Sequence, residues 1–187
     1  GSYEGSIHPA QFDLYSANPS FVFQSTDTAD GRSEARVATF ASPWNPTPVY
    51  YHQTLFVPTS GAFARSLTTF TNPSDSEVTV DALAQLGVNG SVDATEDSLT
   101  VDGAYSVAFG RGGEFVCSEG CFIRHPLVLP PHSTKALLTF TTMDPALIPS
   151  LRDLSADGAI AGLTSEERLA IVNFDVPTSI QVVVEGI

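Results

Sequence analysis

The chain has 187 residues, of which 42% are hydrophobic, with twelve Phe and one Trp. That is a globular composition, long enough for one domain with a substantial core and unlike a disordered chain. Eight Lys and Arg stand against 21 Asp and Glu, a formal charge of −13, which excludes nucleic acids and anionic membrane surfaces as electrostatically favoured partners. No apolar run approaches the ~20 residues of a membrane-spanning helix, so no membrane insertion is expected. No signal peptide is visible, and Gly1-Ser2 reads as a cloning remnant that would stand where one had been trimmed. The acidity, with Lys135 the sole lysine, suits a soluble protein of a salty habitat.

Along the chain, apolar residues recur mostly with period two in short runs bounded by Pro, Gly, Asn, Asp and Ser, the pattern of strands in an all-β domain. Ser20–Gln24 and Glu34–Phe40 are the first expected strands, and Pro48–Val57 is a longer one. Arg65–Thr71 precedes the turn Asn72-Pro73-Ser74-Asp75. In Glu77–Leu86, Val78, Val80, Ala82, Ala84 and Leu86 share one face. Leu99–Val101 and Tyr105–Phe109 flank Asp102-Gly103, a signal for a two-residue hairpin loop. Lys135–Thr142 and Ser179–Glu185 complete the set. Between the last two, Asp144–Leu169 lacks alternation and carries Pro145, Pro149, Gly158 and Gly162. Two short helices fit it, near Ala146–Leu154 and at Ser165–Ala170, the second opened by a capping box of Thr164 and Glu167. This helical insertion, near residues 144–170, is expected to cap an open end of an antiparallel β-sandwich, immunoglobulin-like or jelly-roll-like. A single domain over 1–187, excised from a larger protein, is expected; a division near Gly110–Gly113 is the alternative.

The run Thr69-Phe70-Thr71-Asn72-Pro73-Ser74, followed by Val78-Thr79-Val80, resembles a pattern of immunoglobulin-like β-sandwich modules in large secreted or cell-surface bacterial proteins. Lys135–Thr142, after Pro130-Pro131-His132-Ser133, is similar to the strand that follows a Pro-containing loop in such modules. Asn-Pro supplies the turn and β-branched residues fill the pleated surfaces on either side. The resemblance covers about a quarter of the chain and lies in strand and turn chemistry. It implies an extracellular or cell-surface role in adhesion, spacing or ligand contact, with a carbohydrate or protein partner. The Asp144–Leu169 insertion departs from a minimal module, which argues against a plain spacer.

Four groups of side chains are candidate sites. Cys117-Ser118-Glu119-Gly120-Cys121 holds the two cysteines, and in an oxidising compartment they would close a short disulfide loop. The rival is zinc bound by Cys117, Cys121, His125 and His132, although the histidines are spaced more widely than usual for such sites; two free thiols are the third reading. Asp27, Asp30 and Glu34, around the turn Asp27-Thr28-Ala29-Asp30-Gly31, are the candidate calcium ligands, because hard cations prefer clustered oxygen donors. Asp93, Glu96, Asp97 and Asp102 are a looser acidic group. Trp44, in a Pro-rich loop leading to Tyr50 and Tyr51, presents flat aromatic faces of the kind that stack on sugar rings or Pro-rich peptides. His8 and His52 stand alone and are read as ordinary surface or half-buried histidines. The chain lacks a Gly-x-Ser-x-Gly elbow, a His-Glu-x-x-His helix, a phosphate loop and a dinucleotide fingerprint. No catalytic residue is nominated. The expected role is a non-catalytic binding, adhesion or structural module, with a secreted hydrolase or its accessory domain as the alternative, and a capsid, pilin or surface-layer subunit as the next.

Overall fold

The computed structural model describes residues 6–7, 22–27, 33–39, 49–58 and 62–178. These fold as two β-sheets, antiparallel in all pairings but one, with a short helical layer. The first strands in chain order are β1 (Ser6–Ile7), β2 (Val22–Asp27), β3 (Ser33–Thr39), β4 (Tyr50–Phe56), β5 (Phe63–Thr71) and β6 (Val78–Leu86). There follow β7 (Val92–Ala94), β8 (Ser98–Val101), β9 (Tyr105–Ala108), β10 (Glu114–Cys117), β11 (Cys121–Leu129) and β12 (Thr134–Thr142). The larger sheet has the order β2-β3-β4-β5-β12-β9-β8-β7 and the smaller β1-β6-β11-β10; the exceptional parallel pair is β1 with β6. The all-β sandwich expected from the sequence is thus present. Ser179–Glu185 lies outside the described residues, as do His8, Asp30 and Trp44.

Alternation decides which face of each strand is buried. On β12, Leu137 joins Phe70 of β5, Val80 and Ala82 of β6, and Leu127 and Leu129 of β11 in a core between the sheets. Leu99, Val101, Val107, Phe109 and Ile123 extend that interior toward β8 and β9. This cluster also takes residues from both sides of Gly110–Gly113. The other face of β12, with Ala136, Leu138 and Phe140, is not turned to solvent. It packs with Phe63 and Leu67 of β5 against Ile148, Leu151, Ala159 and Leu163. These belong to the expected insertion, which contains a 3-10 turn at Pro145–Leu147 and the helices α1 (Ile148–Arg152) and α2 (Ser165–Ala170). The insertion therefore covers the outer face of the larger sheet and does not cap an end of the sandwich. The reason is visible in β5 and β12: Phe63, Leu67, Ala136, Leu138 and Phe140 make their outward face apolar, while Phe70 and Leu137 point to the smaller sheet, so apolar side chains on both sides of the sheet must be covered. The capping box forms, with the Thr164 hydroxyl accepting from the Glu167 N–H and the Glu167 carboxylate accepting from the Thr164 N–H. Arg65, buried on this same side, donates to the Ala159 carbonyl at 2.9 Å and lies 4.3 Å over the Phe56 ring.

Two connections cross between the sheets at one corner: β5 to β6, and β11 to β12. Asn72 ties them. Its side-chain N–H groups reach the carbonyls of Ser76, Leu129 and Pro130, its Oδ1 accepts from the Ser74 N–H and hydroxyl, and its own N–H reaches the Ser133 carbonyl. The expected Asn-Pro turn is thus also the fastening between the sheets.

Strand β11 was not expected. Ile123, His125, Leu127 and Leu129 alternate inward, but His125 and Pro126 disguise the apolar period. The proline is tolerated because β10 begins at Glu114, opposite Arg124, so beyond that residue β11 has a described neighbour on one side only. The β8–β9 hairpin closes with a three-residue loop, one longer than expected, since Val101 pairs with Tyr105. Gly103 takes a left-handed φ of 65° there.

The segment after α2 returns to β12. Ile171 bridges Ala136 in parallel, and the Asn173 carboxamide then stands in for a strand: it donates to the Leu138 and Phe109 carbonyls, each at 2.7 Å, and accepts from the Leu138 N–H at 2.9 Å. Gly110 packs so closely on this segment that a Cβ would lie 2.2 Å from the Asn173 carbonyl oxygen. Asn173→Ala is expected to lower unfolding free energy by about 2–4 kcal/mol, since it strands buried backbone groups. Urea denaturation checks this; a loss under about 1 kcal/mol, the net value of one ordinary hydrogen bond, would show that the carboxamide does not complete the sheet.

Candidate functional site

The interior between the sheets is not filled throughout. Between the two inter-sheet clusters lies a half-open cleft of about 330 Å³, at the lower end of the ~300–1,000 Å³ range of small-molecule sites. Its position follows from strand register. Thr139 and Leu137 of β12 stand opposite Ser66 and Thr68 of β5, and Thr68 in turn opposite Gln53 of β4, so these five share the inward face. Across the gap, β6 presents Ala82, Ala84 and Leu86, and β11 presents Ile123 and His125. One wall is therefore rich in hydroxyl and amide groups and the other is largely apolar. No Asp, Glu, Lys or Arg is among the described lining residues.

The polar groups differ in what holds them. Gln53 Nε2 donates to the Ser66 hydroxyl at 2.9 Å. The Tyr105 hydroxyl donates to the Gly87 carbonyl at 3.0 Å, and burial pushes its pKa up, so it remains a neutral donor. His125 is 5% exposed; its Nε2 lies 3.1 Å from the Phe109 carbonyl oxygen, and the ring meets Phe109 edge to face. A carbonyl oxygen only accepts, so Nε2 carries the proton and Nδ1 is the acceptor in the neutral ring. Burial depresses the His125 pKa, against a smaller opposing effect of the bond to Phe109, and keeps the ring uncharged. Gly113 makes room for it: a Cβ there would lie 2.6 Å from the imidazole.

The sequence-nominated residues lie elsewhere or were placed differently. Cys117 and Cys121 form a disulfide across directly paired positions of β10 and β11. The zinc alternative is overturned: the cysteines bond to each other, His125 turns to Phe109, and His132 reaches Asp75 at 2.7 Å. Among the described residues no three His, Cys, Asp or Glu side chains converge as metal ligands. Asp27 ends β2 and Glu34 lies in β3, paired with Thr26, so the two belong to one hairpin; Asp30 and Trp44 are outside the described residues, and of Tyr51 only the strand position is described. Tyr50 is exposed and is not among the cleft residues. Of the looser acidic group, Asp97 pairs with Arg152 and accepts from the Thr95 hydroxyl. On the outer surface of the smaller sheet Arg124 bridges Asp81 and Glu114, and its bonds to them, Asp81 first, raise its pKa further. Sequence reasoning missed the cleft. The available signal was the threonines at 139 and 141, which interrupt one face of an otherwise apolar strand.

No protein-family model matches the chain, and no curated protein matches it in sequence. Among solved structures, a chain assigned as a kojibiose phosphorylase from the human microbiome is similar over 60% of this chain and 18% of its own length, at 7% identity and a TM-score of 0.41. This chain thus corresponds to a small part of that structure, and a likeness so remote carries no argument about function. Among the described residues no helix is long and apolar enough to cross a membrane.

Two outcomes follow from this geometry. The unfolded chain binds a proton at His125 near its ordinary pKa of 6.5, whereas the folded chain resists it. The His125 contribution to stability is therefore complete above that pH and declines as the solution is acidified below it. Denaturation midpoints from pH 8 to 5 should show this decline, and His125→Gln should flatten it; equal slopes in the two proteins would contradict the assignment. For the disulfide, the double variant Cys117→Ser, Cys121→Ser should lose about 2 kcal/mol, the low value appropriate to a very short loop. It should keep the wild-type far-ultraviolet spectrum; guanidinium melts with and without reductant measure the difference.

Proposed function

We propose that this chain is a non-catalytic binding module that works outside the cytoplasm and holds a small ligand between its sheets. The observation that carries this reading is the cleft itself: a half-open site of about 330 Å³ in which neutral polar groups on one wall face an apolar wall. The lining favours holding over chemistry. General acid–base catalysis needs a proton-transferring group with a positioned partner. Here the partner of the His125 imidazole is a backbone carbonyl, on Nε2, and no carboxylate is among the described residues of the lining to position it. The Cys117–Cys121 disulfide supports an oxidising compartment. The resemblance of Thr69–Ser74 and Val78–Val80 to modules of bacterial surface proteins points the same way.

The test joins binding to turnover. Neutral small molecules and glycans, titrated into the protein and followed by thermal denaturation, should include ligands that stabilise it saturably, by about 2.7 kcal/mol at a hundredfold excess over Kd. Chromogenic glycosides and esters should not be turned over. Turnover that disappears in His125→Gln would replace this reading with the hydrolase alternative.

A further inference from the structure

Two buried polar groups in the cleft lack the partners that folded proteins ordinarily supply. Thr68 is 7% exposed, and its hydroxyl makes no hydrogen bond with the described residues. His125 is 5% exposed; its Nε2 is committed to Phe109, and Nδ1 has no donor among the described residues. The large majority of buried side-chain polar atoms in native structures are paired, and each exception costs about 1–3 kcal/mol. Two such exceptions facing one cleft, from opposite sheets, are the mark of a site whose hydrogen bonds are completed by something else. We infer that the cleft takes an uncharged, saccharide-sized polyol, bound through the Thr68 hydroxyl and His125 Nδ1 with an apolar face of the ligand against Ala82, Ala84 and Ile123.

The chemistry of the walls selects this class. A charged ligand would be desolvated among lining residues that include no counter-charge, and a chain of −13 would repel an anion at a distance. A purely apolar ligand would leave Thr68 and His125 unpaired. A ring with C–H faces and a rim of hydroxyls answers both walls at once. Its hydroxyls can donate to Nδ1 and exchange hydrogen bonds with Thr68, and also with Thr139 and Ser66, which adjoin Thr68 on the same wall. Ser66 accepts from Gln53 and still has its own proton to give.

The inference rests on the cleft being a binding site, and the experiment separates the two claims. Three pools are titrated into the protein: neutral methyl glucosides with maltose and cellobiose, the charged sugars glucuronate and glucosamine, and the apolar probes toluene and cyclohexane. The readouts are the methyl resonances of Ala82, Ala84 and Ile123 and the 15N resonances of the His125 imidazole. Neutral glycosides should move both sets, with Nδ1 shifting as an acceptor that gains a donor. Thr68→Val keeps the shape of the side chain and removes the unpaired hydroxyl. It should melt at or above the wild-type temperature and bind the glycosides about five- to tenfold more weakly, the equivalent of one neutral hydrogen bond. Thr139→Val should weaken binding in the same sense. Shifts caused by the apolar pool alone, or charged sugars binding as tightly as neutral ones, would overturn the polyol while leaving the cleft a binding site. Silence from all three pools would remove both claims.

Discussion

The structure depends first on how two sheets are held at a fixed spacing where two connections of the chain pass between them side by side. Asn72 does this at one corner. A carboxamide carries the same donors and acceptor as a peptide group but can be aimed independently of the backbone. At Asn72 it satisfies carbonyls from both crossings and from the turn it begins. Because it is fully buried, those bonds are sheltered from competing water. The apolar clusters beside it then set in register, and the cleft is the part of the interior that neither cluster fills.

Asn173 applies the same device at the opposite layer. The strand β12 has β5 along one edge for its whole length, but β9 along the other only at Phe140–Thr142. The remainder is completed by the bridge at Ile171 and by the Asn173 side chain. One strand is thus covered on both faces and both edges by four different parts of the chain. The carbonyl of Phe109 receives both Asn173 and His125, so the group that sets the imidazole tautomer in the cleft is also held by the outer layer.

Much of the architecture was legible from periodicity. The runs that became β5, β6, β9 and β12 alternate plainly, and the Thr164–Glu167 cap is a local signal that needs no tertiary context. Strand β11 was hidden because the residues that interrupt its period, His125 and Pro126, have their explanations in three dimensions: one is paired with a carbonyl sixteen residues away in sequence, the other faces a side of the strand with no described neighbour. The position of the insertion was equally hidden. Alternation reports that the Ala136, Leu138 and Phe140 face of β12 is apolar but not what covers it. The cleft was least legible of all. Thr68 and Thr139 look like ordinary strand residues until register sets them side by side, and the cysteine spacing drew attention to a metal reading that the β10–β11 pairing removes.

Pro126 carries a consequence for the behaviour of the molecule in a crowded solution. Beyond Arg124 no described residue pairs with the outer edge of β11, a stretch of backbone onto which a foreign strand could be recruited, and half-exposed Val128 lies on it. A proline cannot donate, so a guest strand arriving there would meet a gap in the ladder and a rigid ring. The same substitution that conceals the strand from a reader of the sequence also blunts it as a template for cross-β growth.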